Sequence, residues 1–210
     1  MVETKLRRWT AMAGIATFAL VVATVPLYFV YSGPPPAWNV LARSLIAMFS
    51  LVALLGFVVG LQTLARRAQP EEDPLATLLG ALGIALVAVD LVATALEAGT
   101  VLGRTQPLDP TLIGAGAEGA LVIYGPVGRI LTAALLFACG GVIVRARLVP
   151  AGVGWAAFTL GALQLAFVAT YFSATDPTQF FSVNGWHLPI LGGLLGLWIL
   201  TASVALLRRN

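Results

Sequence analysis

The chain is expected to fold as an all-α polytopic membrane protein, with six transmembrane helices in one bundle. Three observations predict this. Hydrophobic residues make up 59% of the 210 residues and charged residues only 10%, against about 25% charged in ordinary soluble domains. Mean hydropathy is +0.94. Six apolar stretches, each near the ~20 residues a helix needs to cross a bilayer, are separated by breaks rich in Pro, Gly and charge. A soluble core is excluded, because too few polar residues remain to cover its surface. The helices use up the length, so residues 1–210 are expected to form one domain with no separate soluble unit.

Span one is expected over about 11–31, behind Lys5, Arg7 and Arg8. A basic start can also open a signal peptide. This apolar run is longer than a signal core and no clear A-x-A site follows it, so a retained span is expected. Pro26 near its far end is a place for a kink. GPPPAW at 33–38 is a rigid turn, since three prolines cannot continue a helix. Span two follows over about 40–64, with Asn39 the expected N-cap and Tyr31 and Trp38 at the membrane interface. Residues 66–73 make a short charged loop, and Pro74 opens span three, about 75–99.

Residues 100–120 are the longest break in hydrophobicity. Asp109-Pro110 reads as an N-cap and first helical residue, so a helix is expected to run from there into span four, bent at Pro126. Pro110 to Val144 is 35 residues, about 50 Å of helix at 1.5 Å per residue. That exceeds the ~30 Å hydrocarbon core. The segment 110–124 is therefore expected to project, to lie on the outer surface, or to fold back as a lid. Span four proper is about 126–144, closed by Arg145 and Arg147. Pro150 precedes span five, about 151–172. A polar stretch then leads to span six, about 188–207, which ends in Arg208 and Arg209.

Six spans return both termini to one side. That side collects Lys5, Arg7, Arg8, Arg66, Arg67, Arg145, Arg147, Arg208 and Arg209. The positive-inside rule makes it the cytoplasm. With three spans per half, any internal repeat would be inverted, and no echo between the halves is visible. The basic residues are 11 Arg and 1 Lys, scattered singly or in pairs at helix ends, which argues against nucleic acid as a partner. The lipid bilayer is the expected partner, in a bacterial cytoplasmic (inner) membrane. Oligomeric state is not legible.

Residues 75–99 carry two carboxylates, Asp90 and Glu97. Seven residues is almost two helical turns, so both project from one face. Ionisable groups at membrane depth are costly and seldom face lipid. Asp90 lies about 22 Å up its helix at 1.5 Å per residue, near the depth of Arg129, while Glu97 comes near Arg43. Arg104, Glu118, Asp176 and His187 are expected at the same outer side. Gln164 and Tyr171, spaced i, i+7, share a face of span five and are expected to hydrogen-bond into this cluster or to neighbouring backbone. One reading is that Asp90–Arg129 and Glu97–Arg43 are ion pairs fixing helix register. The other is an outward-facing polar pocket for a small molecule, lipid headgroup or ion. A proton relay is a weaker third, because no carboxylate continues the path through the inner half.

Several chemistries are excluded. The lone Cys139 allows no internal disulfide, CxxC pair or thiolate metal cage. One His cannot hold haem by two histidines, and the only Lys, at position 5, excludes retinal on a buried lysine. No serine sits in a GxSxG setting. No catalytic residue, metal or cofactor is expected. Gly56–Gly60 and Gly192–Gly196 are GxxxG pairs, which allow close helix approach and are expected to pack helices within the bundle.

The P(L)ATLLG opening of span three, after a short loop that begins with basic residues, and RARLVPAGVGWAAFTLGALQL between spans four and five resemble families of uncharacterised six-span bacterial membrane proteins, common in actinobacteria. The resemblance implies the six-helix fold and carries no active residue. The expected role is a small membrane protein with an outward-facing polar pocket, not an enzyme. The alternatives are a structural or accessory subunit whose charges only lock helix packing, and an intramembrane enzyme.

Overall fold

A computed structural model describes residues 2–70, 73–110, 118–172, 180–182 and 185–209. Among them, every regular element is helical. In a bilayer the backbone must satisfy its hydrogen bonds internally, and each apolar run does so as a helix. The first three are α1 (Val2–Phe29), α2 (Ala37–Ala68) and α3 (Asp73–Val101). The fourth span is composite: α4 (Glu118–Val122), a π-helical turn (Ile123–Val127) and α5 (Gly128–Ala146). The fifth is α6 (Ala151–Ala166), which tightens into a 3₁₀ turn (Phe167–Phe172), and the last is α7 (His187–Arg208). All six runs are long and apolar enough to cross a membrane.

The first three helices outrun the apolar stretches that predict them, because polar flanks continue a helix outside lipid. In α1 the extension carries an i, i+4 pair, Glu3–Arg7, at 2.8 Å, of the kind that supports exposed helix. Helix α2 does not begin as expected. Its N-cap is Pro36, without a side-chain bond, while Asn39 sits in the first turn, fully buried. There Asn39 Nδ2 donates to Leu27 O at 3.0 Å and staples α2 to α1. The proline turn holds the two helix ends close enough for that bond. In the composite span, Pro126 brings no N–H to the ladder. Gly125 leaves helical geometry at ψ −111° and the chain takes up the break as a π turn. A continuous helix from Pro110 is an expectation that falls on 111–117, outside the described residues; helix is seen from Glu118. At the far end of α5, Arg147 adopts φ 48° as a left-handed cap, and Pro150 caps α6.

The helices pack in sequence order as a ring: α1 on α2, α2 on α3, α3 on α5, α5 on α6, α6 on α7, and α7 back on α1. Arg7 Nη1 donates to Leu148 O at 3.4 Å and the Arg209 guanidinium to Arg147 O. Both chain ends therefore meet the α5–α6 turn at one end of the bundle, called proximal here. The distal end carries the 30–36 turn and the 102–110 segment. Phe57, Leu61, Leu79, Leu86, Leu136, Ile143 and Leu206 fill the interior. Trp198 packs edge-on against Phe57 at 6.3 Å and donates from Nε1 to Val153 O at 2.9 Å, tying α7 to α6. The outer surface is apolar as well: Phe49, Val52, Ile84 and Leu197 are all at least half exposed, as a lipid-facing surface requires.

Close approach is decided by a few glycines. A Cβ on Gly60 would land on the side chain of Thr10, and one on Gly14 on Ser203 Oγ and 2.7 Å from a Phe57 ring carbon. Of the two GxxxG pairs, Gly60 thus lets α1 onto α2, with Gly56 in ordinary contact with Trp9 at 3.4 Å. Gly196 faces Phe18 at 3.3 Å, but Gly192 has nothing within 4 Å, so the second pair is not a continuous contact stripe.

Candidate functional site

The buried Arg, Glu and His side chains among the described residues gather at the distal end, in two groups rather than one. The first joins α1, α2 and α3. Arg43, in the second turn of α2, is 4% exposed. Its Nη2 lies 3.0 Å from Glu97 Oε1, near the end of α3. This is the pairing that depth matching predicts. The contact is an ion pair by distance, yet neither atom has a well-aligned hydrogen bond, and Arg43 Nε is likewise sealed without a partner. The guanidinium carbon sits 4.3 Å from the centroid of the Tyr28 ring, a cation–π arrangement. A pocket of about 340 Å³ opens beside these groups, walled by Tyr28, Tyr31, the 32–35 turn, Arg43 and Asp109. Asp109, read from sequence as a helix cap, is thus a wall of this pocket.

A hydroxyl pair sits beside this group. Thr94 Oγ1 donates to Asp90 O at 2.7 Å, one turn back on its own helix, and lies 2.7 Å from Tyr124 Oη. With its one proton committed, Thr94 accepts from Tyr124. The π turn carries Tyr124, and such turns recur at functional sites because they re-aim a side chain.

The second group joins α5, α6 and α7. Arg129, 3% exposed, donates from Nη1 to Gln164 Oε1 at 3.5 Å. Its guanidinium carbon lies 5.9 Å from the Phe167 ring centroid. Its Nη2 is buried without a partner. His187 is the first residue of α7 and is 1% exposed. Its ring stacks on Phe167 at 5.2 Å. Nδ1 is 2.8 Å from Phe180 O. A carbonyl only accepts, so Nδ1 carries the proton. Nε2 meets Thr170 Oγ1 at 3.3 Å.

The expected Asp90–Arg129 pair is not made. Asp90 lies beside Gly128, whose absent Cβ would be 3.6 Å from Asp90 Oδ1. The next residue, Arg129, is about 100° further round α5 and points to α6 instead. Asp90 has no ion pair with any described residue. Tyr171 also leaves the site: it is 48% exposed, against 7% for Gln164. The 3₁₀ turn has three residues per turn, so Thr170 comes round to the inner face in its place. Arg104 is exposed after α3 and pairs with no described carboxylate, and Glu118 is exposed at the start of α4. Asp176 lies outside the described residues. Among the described residues no three His, Cys, Asp or Glu side chains converge as metal ligands would.

Tyr28, Tyr124, Asn39 and Thr170 were not singled out from sequence as site residues. Tyr28 and Tyr124 carry the one available signal, a phenol at the depth of Arg43 and Glu97.

Comparison with known proteins found no matching family, no similar curated protein and no similar solved structure.

Proposed function

We propose that this chain is a multi-pass membrane protein of the bacterial cytoplasmic membrane, termini in the cytoplasm, whose distal pocket binds a small polar ligand or lipid headgroup from outside. One observation carries the reading. A pocket of about 340 Å³ at the distal end brings Arg43, Asp109 and the phenols of Tyr28 and Tyr31 to one wall set. Ligand clefts of a few hundred Å³ with a few convergent polar groups are the common form of a binding site. The basic proximal end supports the orientation.

The purified protein, stripped of lipid in mild detergent, is expected to gain thermal stability when a total lipid extract is returned. Filling the pocket by Ser32→Trp is expected to remove that gain while leaving the empty protein as stable as before. An equal gain in the variant would place lipid elsewhere.

Orientation has its own test. With Cys139 replaced by Ala, a cysteine at Gln106 is expected to react with an impermeant thiol reagent added outside intact cells, and one at Gln69 is not. Reaction at 69 alone would invert the topology.

A second reading is favoured by the Arg43–Glu97 contact itself. A 3.0 Å ion pair between α2 and α3 suits a structural or accessory subunit whose charges only hold helices in register.

A further inference from the structure

We infer that Asp90 is a reversible proton-binding site, held inside the bundle beside the π turn and closed off from the proximal end. The site is separate from the Arg43 pocket and does not depend on it. Asp90 lies about 16 Å below the distal end of α3 at 1.5 Å per residue. It shares a face with Gly83, seven residues back, where a Cβ would stand 2.5 Å from Val58 of α2. Asp90 itself abuts Gly128, the first residue of α5. Its carboxylate therefore points into the bundle between α2 and α5, away from lipid.

The carboxylate has room but no partner. Leu86 and Val87 one turn below it, and Ala93 and Thr94 one turn above, are all sealed, whereas Asp90 is part-exposed. Gly128 opposite offers no side chain to cover it. Among the described residues, Asp90 has no ion pair and receives no hydrogen bond on its carboxylate. The hydroxyl protons close by are spent elsewhere, Thr94 on Asp90 O and Tyr124 on Thr94. Few titratable groups surround it. They are Tyr124 from the π turn and Glu97 two turns up α3, while α2 presents none over 44–58 and α5 none over 130–138. Arg129 turns to Gln164 and Arg43 to Glu97, so no neighbouring charge offsets the burial of Asp90.

An ionised carboxylate at membrane depth without a cation is costly, and such a group neutralises instead. A proton does this without further ligands. A hard metal cation needs several converging oxygens, and among the described residues no three His, Cys, Asp or Glu side chains supply them. In the binding step a hydronium gives its proton to a carboxylate oxygen of Asp90 and leaves as water; release is the reverse. The new O–H has an acceptor across the gap. Ile123 O of the π turn lies 2.8 Å from the place where a Gly128 Cβ would stand, and Asp90 Oδ1 lies 3.6 Å from it, so both border one space. Beneath the site the bundle is shut: Phe57, Leu61, Leu79, Leu86, Leu136 and Ile143 are each at most 2% exposed. The proton therefore enters and leaves on the distal side of this plug and does not cross.

The test uses the full chain in lipid vesicles, treated with a hydrophobic carbodiimide, which adds to carboxyl groups in their protonated form. The product is mapped by mass spectrometry. At about pH 6, Asp90 is expected to be modified at least about tenfold more than Glu97, which has Arg43 as its counter-ion, and modification of Asp90 is expected to fall at least about tenfold by about pH 9. A protonated-carboxyl infrared band fading over the same range is expected in the native protein and not in Asp90→Asn, the isostere of the neutral acid. Should that variant not fold, the carbodiimide map of the native protein decides by itself. Equal modification of the two carboxylates, a rate at Asp90 that ignores pH, or protection of Asp90 by sodium at fixed pH would overturn the proton assignment. Vesicles with a trapped pH dye are expected to hold a proton gradient equally well with native protein and with Asp90→Asn. A gradient dissipated by the native protein alone would overturn the closed site.

Discussion

Gly14→Leu is expected to abolish the monodisperse folded protein in detergent. Gly14 faces two helices at once: a Cβ there meets Ser203 Oγ of α7 and lies 2.7 Å from Phe57 Cδ2 of α2. Neither neighbour has room to retreat. Ser203 is fully buried and donates to Ile199 O at 2.7 Å, and Phe57 is 1% exposed against Trp198. Overpacking a tight core costs about 1–3 kcal/mol and sometimes more. A leucine adds four carbons at a three-helix junction, which puts it at or above the top of that range. At about 2–4 °C per kcal/mol for a chain of this size, the melting temperature is expected to fall by about 10 °C, or folding to fail outright. Gly33→Leu is the control, since nothing lies within 4 Å of a Cβ there. Size-exclusion profiles and melting curves of the two variants, side by side, decide it. Equal behaviour would mean that α1 does not pack on α2 and α7 as described.

Arg43→Gln is expected to destabilise the stripped protein strongly, and adding Glu97→Gln to restore much of the loss. Breaking one member of a buried ion pair leaves an uncompensated charge and costs about 3–5 kcal/mol. Removing both charges avoids that penalty, so the double variant lies well above the sum of the singles. Such coupling marks residues in contact. Asp90 and Arg129 form the contrasting cycle. They are not paired, so Asp90→Asn and Arg129→Gln are expected to add within about 0.5 kcal/mol. Strong coupling in that second cycle would show that α5 is rotated toward α3. Loss of the lipid effect in Arg43→Gln on top of its lower stability would mark a guanidinium that serves a ligand as well as helix register, and an undiminished lipid effect would leave it to register alone.

The contrast between these two cycles is also the boundary of what the linear chain reveals. Six apolar runs set the six helices, because a backbone in lipid has no other way to satisfy itself than to coil or close a barrel. Residue count along a helix sets depth at about 1.5 Å per residue, which was enough to match Glu97 with Arg43. Depth also matched Asp90 with Arg129, and there it failed. These helices are apolar all round, since one side meets the core and the other meets lipid. An amphipathic stripe, the usual sign of which face turns inward, is missing. Azimuth was then set by features with local causes. Gly14 and Gly60 fix how α1 lies on its neighbours. The π turn at Pro126 re-aims Tyr124 and sends Arg129 to α6. The 3₁₀ turn after Ala166 puts Thr170 where Tyr171 was expected. Asp109 comes from a segment with no helical period at all, so only packing brought it to the wall of the Arg43 pocket.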